Sequence, residues 1–319
     1  MAEKHFPQRG ILLYNPAAGP SDLTGKLHRI RESLAARGVD LVDLPTTHVG
    51  HAAQLIAEHR AAGSLDLVVT CGGDGTINEA AVALAGSGIP LAIFPAGTAN
   101  VLARELSIPR TLSAAAEVLL GGVCADVSLG KAGDRFFLMM AGFGLDAMVM
   151  HHCHPLLKRR FGRMAIAARC AEEFVRFTVP RMLVRAEDFA SEATLVVAAN
   201  IRLYGGDFVI APDADPTDDM LDLVLFKGSS RLDYAKYAAG VMGGRHQQFH
   251  DVEVRRVRSA TIHSLGEQPV PGQIDGDTVL ETPVHLSVQK AAVRIFVPPN
   301  SPYANFSSRQ RGARVAEQS

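Results

Sequence analysis

The first third of the chain alternates two patterns, and this alternation restricts the fold more than any other feature. Ile11–Tyr14 is a short apolar run, and the turn-rich stretch Asn15–Gly19 follows it. Thr24–Arg37 carries Leu27, Ile30 and Leu34 at three- and four-residue steps, the spacing of one helix face. Val39–Leu44 reads as a strand, His51–Ala61 as a helix, Leu67–Cys71 as a buried strand and Ile77–Ala85 as a helix. Leu91–Phe94 and Val101–Leu106 repeat the pair. Strands and helices joined by short loops predict a parallel sheet covered on both faces. Ligands in such sheets bind beyond the carboxyl ends of the strands.

The pattern changes after Gly121-Gly122. Strand signals then dominate: Phe136–Met140, Met182–Ala186, Thr194–Ala198, Leu221–Phe226, Val252–Val257, Val284–Val288 and Val293–Val297. Polar or glycine turns separate them, as in an antiparallel sandwich. Helical stretches at about Pro155–Phe177 and Leu232–Val241 interrupt the series. The chain has 319 residues, more than one ordinary core holds. The expected organisation is an α/β domain over 1–125 and a β-sandwich domain over 126–298. A disordered tail is expected over 299–319.

The formal net charge of −1 speaks against a dedicated nucleic-acid binder. Cys71, Cys124, Cys153 and Cys170 show no CxxC spacing and point to a reducing compartment. The N-terminus has no apolar signal core, and no uncharged apolar run reaches membrane-spanning length. These features predict a cytoplasmic protein, with peripheral membrane contact and oligomerisation both compatible with the sequence.

Between a buried strand and a helix lies Cys71-Gly72-Gly73-Asp74-Gly75-Thr76-Ile77-Asn78-Glu79. Glycines allow positive φ and close approach of the backbone to a ligand, and the helix start offers free N–H groups to phosphate. No Walker lysine is present, so positive charge must come from Mg²⁺ or from elsewhere. A tight strand-to-helix turn capped by Asp74 or Thr76 fits the same residues.

GGDGTINE resembles the signature of the diacylglycerol kinase catalytic domain family, which includes bacterial diacylglycerol kinases, YegS-like lipid kinases and sphingosine kinases. Further elements follow in family order: Asn15-Pro16-Ala17-Ala18-Gly19, Thr46 before Gly50, Pro95-Ala96-Gly97-Thr98-Ala99-Asn100, Asp126, Gly142-Phe143-Gly144 and Asp146-Ala147. Pro212 through Asp222 and Gln273-Ile274-Asp275-Gly276-Asp277 close the series. The resemblance covers about residues 10–298. It implies an NAD-kinase-like α/β domain followed by a β-sandwich, with ATP and lipid in a cleft between them. Asn15, Pro16, Ala17, Ala18, Gly19, Thr46, Gly72, Gly73, Asp74, Gly75, Thr76, Ile77, Asn78 and Thr98 would contact the nucleotide. Asp215, Asp218 and the Met220 carbonyl would hold a structural Mg²⁺. Asp74 would organise catalytic Mg²⁺, and Asp275 or Asp277 would accept the proton of the lipid hydroxyl. Three departures stand out: Val101 where many members carry Asp, Asp219 in place of the usual glycine, and Asp277 where glutamate is usual.

Other constellations have simpler explanations beside the chemical ones. The run Asp213, Asp215, Asp218, Asp219, Asp222 suits a hard cation or a solvated turn. His151-His152-Cys153-His154 lacks the second cluster that a zinc site needs and reads as a polar loop or helix start. Lys158-Arg159-Arg160 with Arg163 and Arg169, and Arg245, Arg255, Arg256 and Arg258, fit a solvated face or an anionic membrane. Asp275-Gly276 is ordinary hairpin chemistry. The function expected is an ATP-dependent lipid kinase acting on diacylglycerol or a related lipid. The alternatives are a kinase of a soluble substrate such as NAD, or a catalytically weak lipid- or nucleotide-binding regulator.

Overall fold

The structure is a computed structural model and describes residues 9–16, 23–63, 65–121, 123–145 and 179–304. The expected helix near 155–177, the His151–His154 run, Asp146-Ala147 and the basic stretch 158–169 lie outside these residues. So do Cys153 and Cys170.

The chain divides into two compact units, one reaching Val127 and resuming at Ala291, the other Ser128–Lys290. In the first, strands β1 (Arg9–Tyr14), β2 (Asp40–Pro45), β3 (Leu67–Gly72) and β4 (Leu91–Pro95) form a parallel sheet in the order β2-β1-β3-β4. Central β3 is buried along its whole length, which is why it reads as an uninterrupted apolar run rather than an alternation. Helices α1 (Leu23–Ala35), α2 (His51–Ala61) and α3 (Asp74–Ala83) connect them, and α4 (Val101–Glu105) and α5 (Leu112–Gly121) follow β4. The chain runs outward from β1 to β2, then back to β3 and on to β4. Right-handed crossovers therefore put α1 on one face and α2 and α3 on the other. α5 packs on α1, and α2 on α3.

The chain enters the second unit along β5 (Cys124–Ala132), which pairs with β6 (Arg135–Phe137). Among the described residues that unit has a short ribbon of β11 (Leu203–Tyr204) and β12 (Phe208–Val209) and two larger antiparallel sheets. One has the order β14 (Val252–Val257), β13 (Leu221–Phe226), β10 (Leu195–Ala199), β7 (Met140–Phe143), β16 (Pro271–Ile274), β17 (Asp277–Glu281). The other pairs the start of β18 (Val284–Phe296) with β15 (Ser259–Ser264), then β8 (Met182–Arg185) and β9 (Ala190–Ala193). Both contribute to one apolar core that includes Phe137, Phe143, Val196, Leu223, Ile262 and Leu286, as a sandwich requires. Helix α6 (Arg231–Met242) starts with a capping box between Ser230 and Asp233. The fold is therefore the expected α/β unit together with a β-sandwich.

A single cut near residue 125 does not describe the path of the chain. Ile295 at the end of β18 pairs in parallel with Leu91, and Val297 N donates to Val123 O at 3.0 Å, so the chain from Ala291 on belongs to the first unit. Residues 299–304 are not a loose tail. Ser301, Tyr303 and Ala304 are buried, and the Tyr303 hydroxyl donates to buried Glu105.

Candidate functional site

The glycine loop closes β3 and opens α3, whose helical geometry already begins at Asp74. The first N–H groups of such a helix have no intrahelical partner. Gly72, Gly73, Gly75 and Gly97 all avoid positive φ, contrary to the expectation that these glycines supply left-handed turns. Their value is close approach. A Cβ on Gly97 would lie 2.5 Å from Gly73 Cα, and one on Gly72 would lie 2.9 Å from Thr76 Oγ1. The second loop therefore rests on the first, backbone against backbone. Ala96 N and Gly97 N both donate to Gly72 O, at 3.0 and 3.1 Å.

The polar side chains of the two motifs brace this arrangement. Asp74 accepts from Leu102 N at 3.3 Å, at the start of α4. Burial pushes its carboxyl above the ordinary value, while hydrogen bonds from the backbone of Leu102, Val101 and Asn100 pull it back. Asn100, itself at φ 49°, accepts from Gly97 N and donates to Gly97 O, both at 2.9 Å. Glu79 accepts from Gly50 N at 2.9 Å and Ala52 N at 3.3 Å, so it caps α2 and fixes the loop that carries Thr46. Thr46 N donates to Tyr14 O at 2.8 Å, and Asn15 N donates to Cys71 O at 3.2 Å. The ends of β1, β2 and β3 are thereby tied together. Thr98 is exposed, and Asn78 Oδ1 is shielded from solvent without a hydrogen-bond donor among the described residues. Cys71 is buried, and burial raises its thiol to about 12, which leaves it inert. Pro16 is exposed, whereas Ala17, Ala18 and Gly19 lie outside the described residues.

The sequence reading did not single out Glu79 and Asn100 as braces. The capping role of Glu79 has no local signal, because its partners are 29 and 27 residues away.

In the second unit Asp275 and Gly276 form the two-residue turn between β16 and β17, with φ of 48° and 97°. Two successive positive φ values are those of the type I′ hairpin turn, as Asp-Gly leads one to expect. Gln273 is buried and accepts from Gly276 N at 2.7 Å. The two acids of this segment part company. Asp275 Oδ2 accepts from Leu138 N at 2.7 Å, and its Oδ1 accepts from Met139 N and Met140 N, both at 2.9 Å. Both oxygens are thus committed to the backbone that leads into β7. Asp277 is exposed, and its carboxylate has no partner among the described residues. The left-handed turn directs Asp275 back onto its own sheet.

The acidic loop before β13 is an ordered turn. Asp215 Oδ1 accepts from Thr217 N at 2.8 Å and Thr217 Oγ1 at 2.6 Å. Asp218 Oδ1 accepts from Met220 N at 2.8 Å, and its Oδ2 meets the Arg256 guanidinium. Burial raises the Asp218 carboxyl; Met220 N and Arg256 oppose this, and Asp215 and Asp219 reinforce it. Asp222 is buried on β13 opposite Arg256, whose Nε lies 3.9 Å from Oδ2. Burial pushes Asp222 up to about 6, with Arg256 pulling it down and Asp218 and Asp213 adding to the rise. Among the described residues, no three His, Cys, Asp or Glu side chains gather closely enough to hold a metal by themselves. No described helix is long and apolar enough to cross a membrane.

The pairing of an α/β unit that carries interlocked glycine loops with a β-sandwich has counterparts among known proteins. Residues 9–132 match the diacylglycerol kinase catalytic domain, and residues 139–297 match the YegS C-terminal NAD kinase beta sandwich-like domain. The diacylglycerol kinase of Mycobacterium tuberculosis is 30% identical over 304 residues, covering 92% of this chain and 97% of that protein. The diacylglycerol kinase of Bacillus subtilis is 28% identical over 244 residues, covering 75% and 80%. A Bacillus anthracis protein solved as a candidate diacylglycerol kinase superposes with a TM-score of 0.77 at 25% identity, covering 94% of this chain and 98% of that one. The chain belongs to the diacylglycerol kinase catalytic domain family, and this membership supports a lipid kinase.

Proposed function

We propose that the protein transfers the γ-phosphoryl group of ATP to a hydroxyl of diacylglycerol or a related lipid at a membrane surface. The reading is carried by the interlock of Gly73 with Gly97, which joins two family motifs into one backbone platform at the ends of the parallel strands. Phosphoryl transfer asks the protein chiefly to position reactants and to neutralise charge. The N–H groups of Gly72–Thr76 would hold phosphates. Asn15, Pro16, Thr46, Ile77, Asn78 and Thr98 would frame the nucleotide, together with Ala17, Ala18 and Gly19. The solvent-shielded Asn78 Oδ1 suits a donor such as a ribose hydroxyl. Asp74 is occupied with α4, so we assign it to holding the loops together rather than to a catalytic metal.

Of the two hairpin acids, Asp277 is the one with a carboxylate open to a substrate, and we assign it as the proton acceptor. Asp275 holds the hairpin that presents it. Its three backbone donors leave it ill placed to bind Mg²⁺ or a hydroxyl as well.

A structural Mg²⁺ suits the donor chemistry of the acidic loop, which is hard oxygen throughout, with the charges of Asp215 and Asp219 adding to the burial that raises the Asp218 carboxyl. Asp215, Asp218 and the Met220 carbonyl would hold it, sharing Asp218 with Arg256. When bound, it would supply positive charge that lowers the repulsion among these acids. Mg²⁺ should raise the melting temperature of the wild type but not of Asp218→Ala, as scanning calorimetry with and without chelator would read. An equal response would remove the site.

The function is tested by turnover of radiolabelled ATP with a panel of lipids and with NAD. Labelled phospholipid supports the proposal. Labelled NADP would assign a soluble substrate, and nucleotide binding without turnover would assign a regulator.

A further inference from the structure

The loops Gly72–Thr76 and Pro95–Asn100 contain neither lysine nor arginine. A triphosphate carries several negative charges, and backbone N–H groups supply only partial positive ones. A cradle of this kind needs full cations within reach. In the first unit three cationic side chains converge on one cavity. It has a volume of about 540 Å³ and opens where β4 ends, with Pro95 and Ala96 in one wall, Lys26 and Arg29 of α1 in another, and Arg110 just before α5. Lys26 and Arg29 are three residues apart and so share a helix face. Among the described residues that line the cavity none is a carboxylate, and Lys26 and Arg110 make no ion pair among the described residues, whereas Arg29 has a partner. Ala96 ties this wall to the first glycine loop, because its N–H donates to Gly72 O at 3.0 Å.

We propose that Lys26, Arg29 and Arg110 form the cationic half of the polyphosphate site of the donor nucleotide and take the phosphates that extend beyond the glycine loops. This rests on the nucleotide reading above and adds to it residues outside the glycine motifs. Charge is contributed by α1 and by the approach to α5, so the loops themselves can remain free of long side chains and pack backbone to backbone.

The test is calorimetric titration of ATP, ADP and AMP into wild type and the double variant Lys26→Met, Arg110→Gln, whose replaced side chains are solvent-exposed. Wild-type affinity should rise from AMP to ATP and weaken with added salt. The double variant should lose about tenfold per cation removed, about 100-fold in all, for ATP. Its AMP affinity should change little, because the shorter nucleotide does not reach the cations. A double variant that binds ATP as tightly as wild type would overturn the assignment and leave the nucleotide reading standing. A wild type that binds none of the three nucleotides would fail that reading instead. Inorganic tripolyphosphate titrated alone then reads the cavity directly. Binding that the double variant loses supports the cationic site, and binding that is equal or absent in both proteins overturns it.

Discussion

Gly72–Asn78 and Gln273–Asp277 are both glycine-bearing segments at the end of a buried strand, yet they use their acids differently. In the first, Asp74 binds the backbone of α4, and Glu79, the residue after the loop, binds that of α2. The carboxylates hold neighbouring segments in place. In the second, Asp275 binds the amides of Leu138, Met139 and Met140, while Asp277 is left exposed. The difference shows that an acid within a motif is not thereby a reacting group. At the glycine loop both acids brace backbone; in the hairpin one acid braces backbone and the other stays exposed.

The sharpest way to break this comparison is at Asp275. Asp275→Ala leaves three buried or half-buried amides without their acceptor, and urea denaturation should show a loss of about 3–4 kcal/mol. A loss under about 1 kcal/mol would mean that Asp275 is not a brace. Next is the interlock. Gly97→Ala places a Cβ 2.5 Å from Gly73 Cα, whereas Gly73→Ala places one 3.5 Å from Gly97 Cα. The first should cost about 2–3 kcal/mol and lose nucleotide binding, and the second less than about 1 kcal/mol. Equal costs would contradict the backbone contact.

A smaller effect is expected from Asp222. Its folded-state value of about 6 lies above the ordinary carboxylate value, so the native protein holds more protons than the unfolded chain between about pH 4 and pH 6. Stability from this group is therefore lost as pH rises through that window, by roughly 2–3 kcal/mol in all. Asp222→Asn should flatten this part of the stability–pH curve and gain roughly 2 kcal/mol at pH 8. An unchanged curve would place the titration elsewhere.

The α/β half was readable because its signals are local. The span His51–Ala61 agrees with α2, and the runs at β1, β3 and β4 lie within a residue or two of the strands. The start of α3 was missed because its first turn lies inside the glycine motif, where Gly73 and Gly75 suggest loop. β9, β15, β16 and β17 escaped notice, since short half-polar strands depend on their partners rather than on their own pattern. β18 reads as two strands, Val284–Val288 and Val293–Val297, because polar Gln289-Lys290 interrupts the apolar pattern. The strand passes through this pair, with Ala291 at φ 50° marking the irregularity where one unit gives way to the other. Of the site, the motif positions were legible, but not which acids face backbone. The partners of Asp275 are more than 130 residues away in sequence, and no spacing rule reaches that far.

The most direct test of this division of labour is a single variant. Asp277→Asn should melt as wild type does, since its carboxylate is exposed and has no partner among the described residues. It should bind ATP unchanged and phosphorylate diacylglycerol about 10²–10⁴ times more slowly, the usual range for a positioned acid or base. Asp277→Glu should retain activity. An Asp277→Asn protein that turns over lipid at the wild-type rate would contradict the assignment of the exposed acid as proton acceptor.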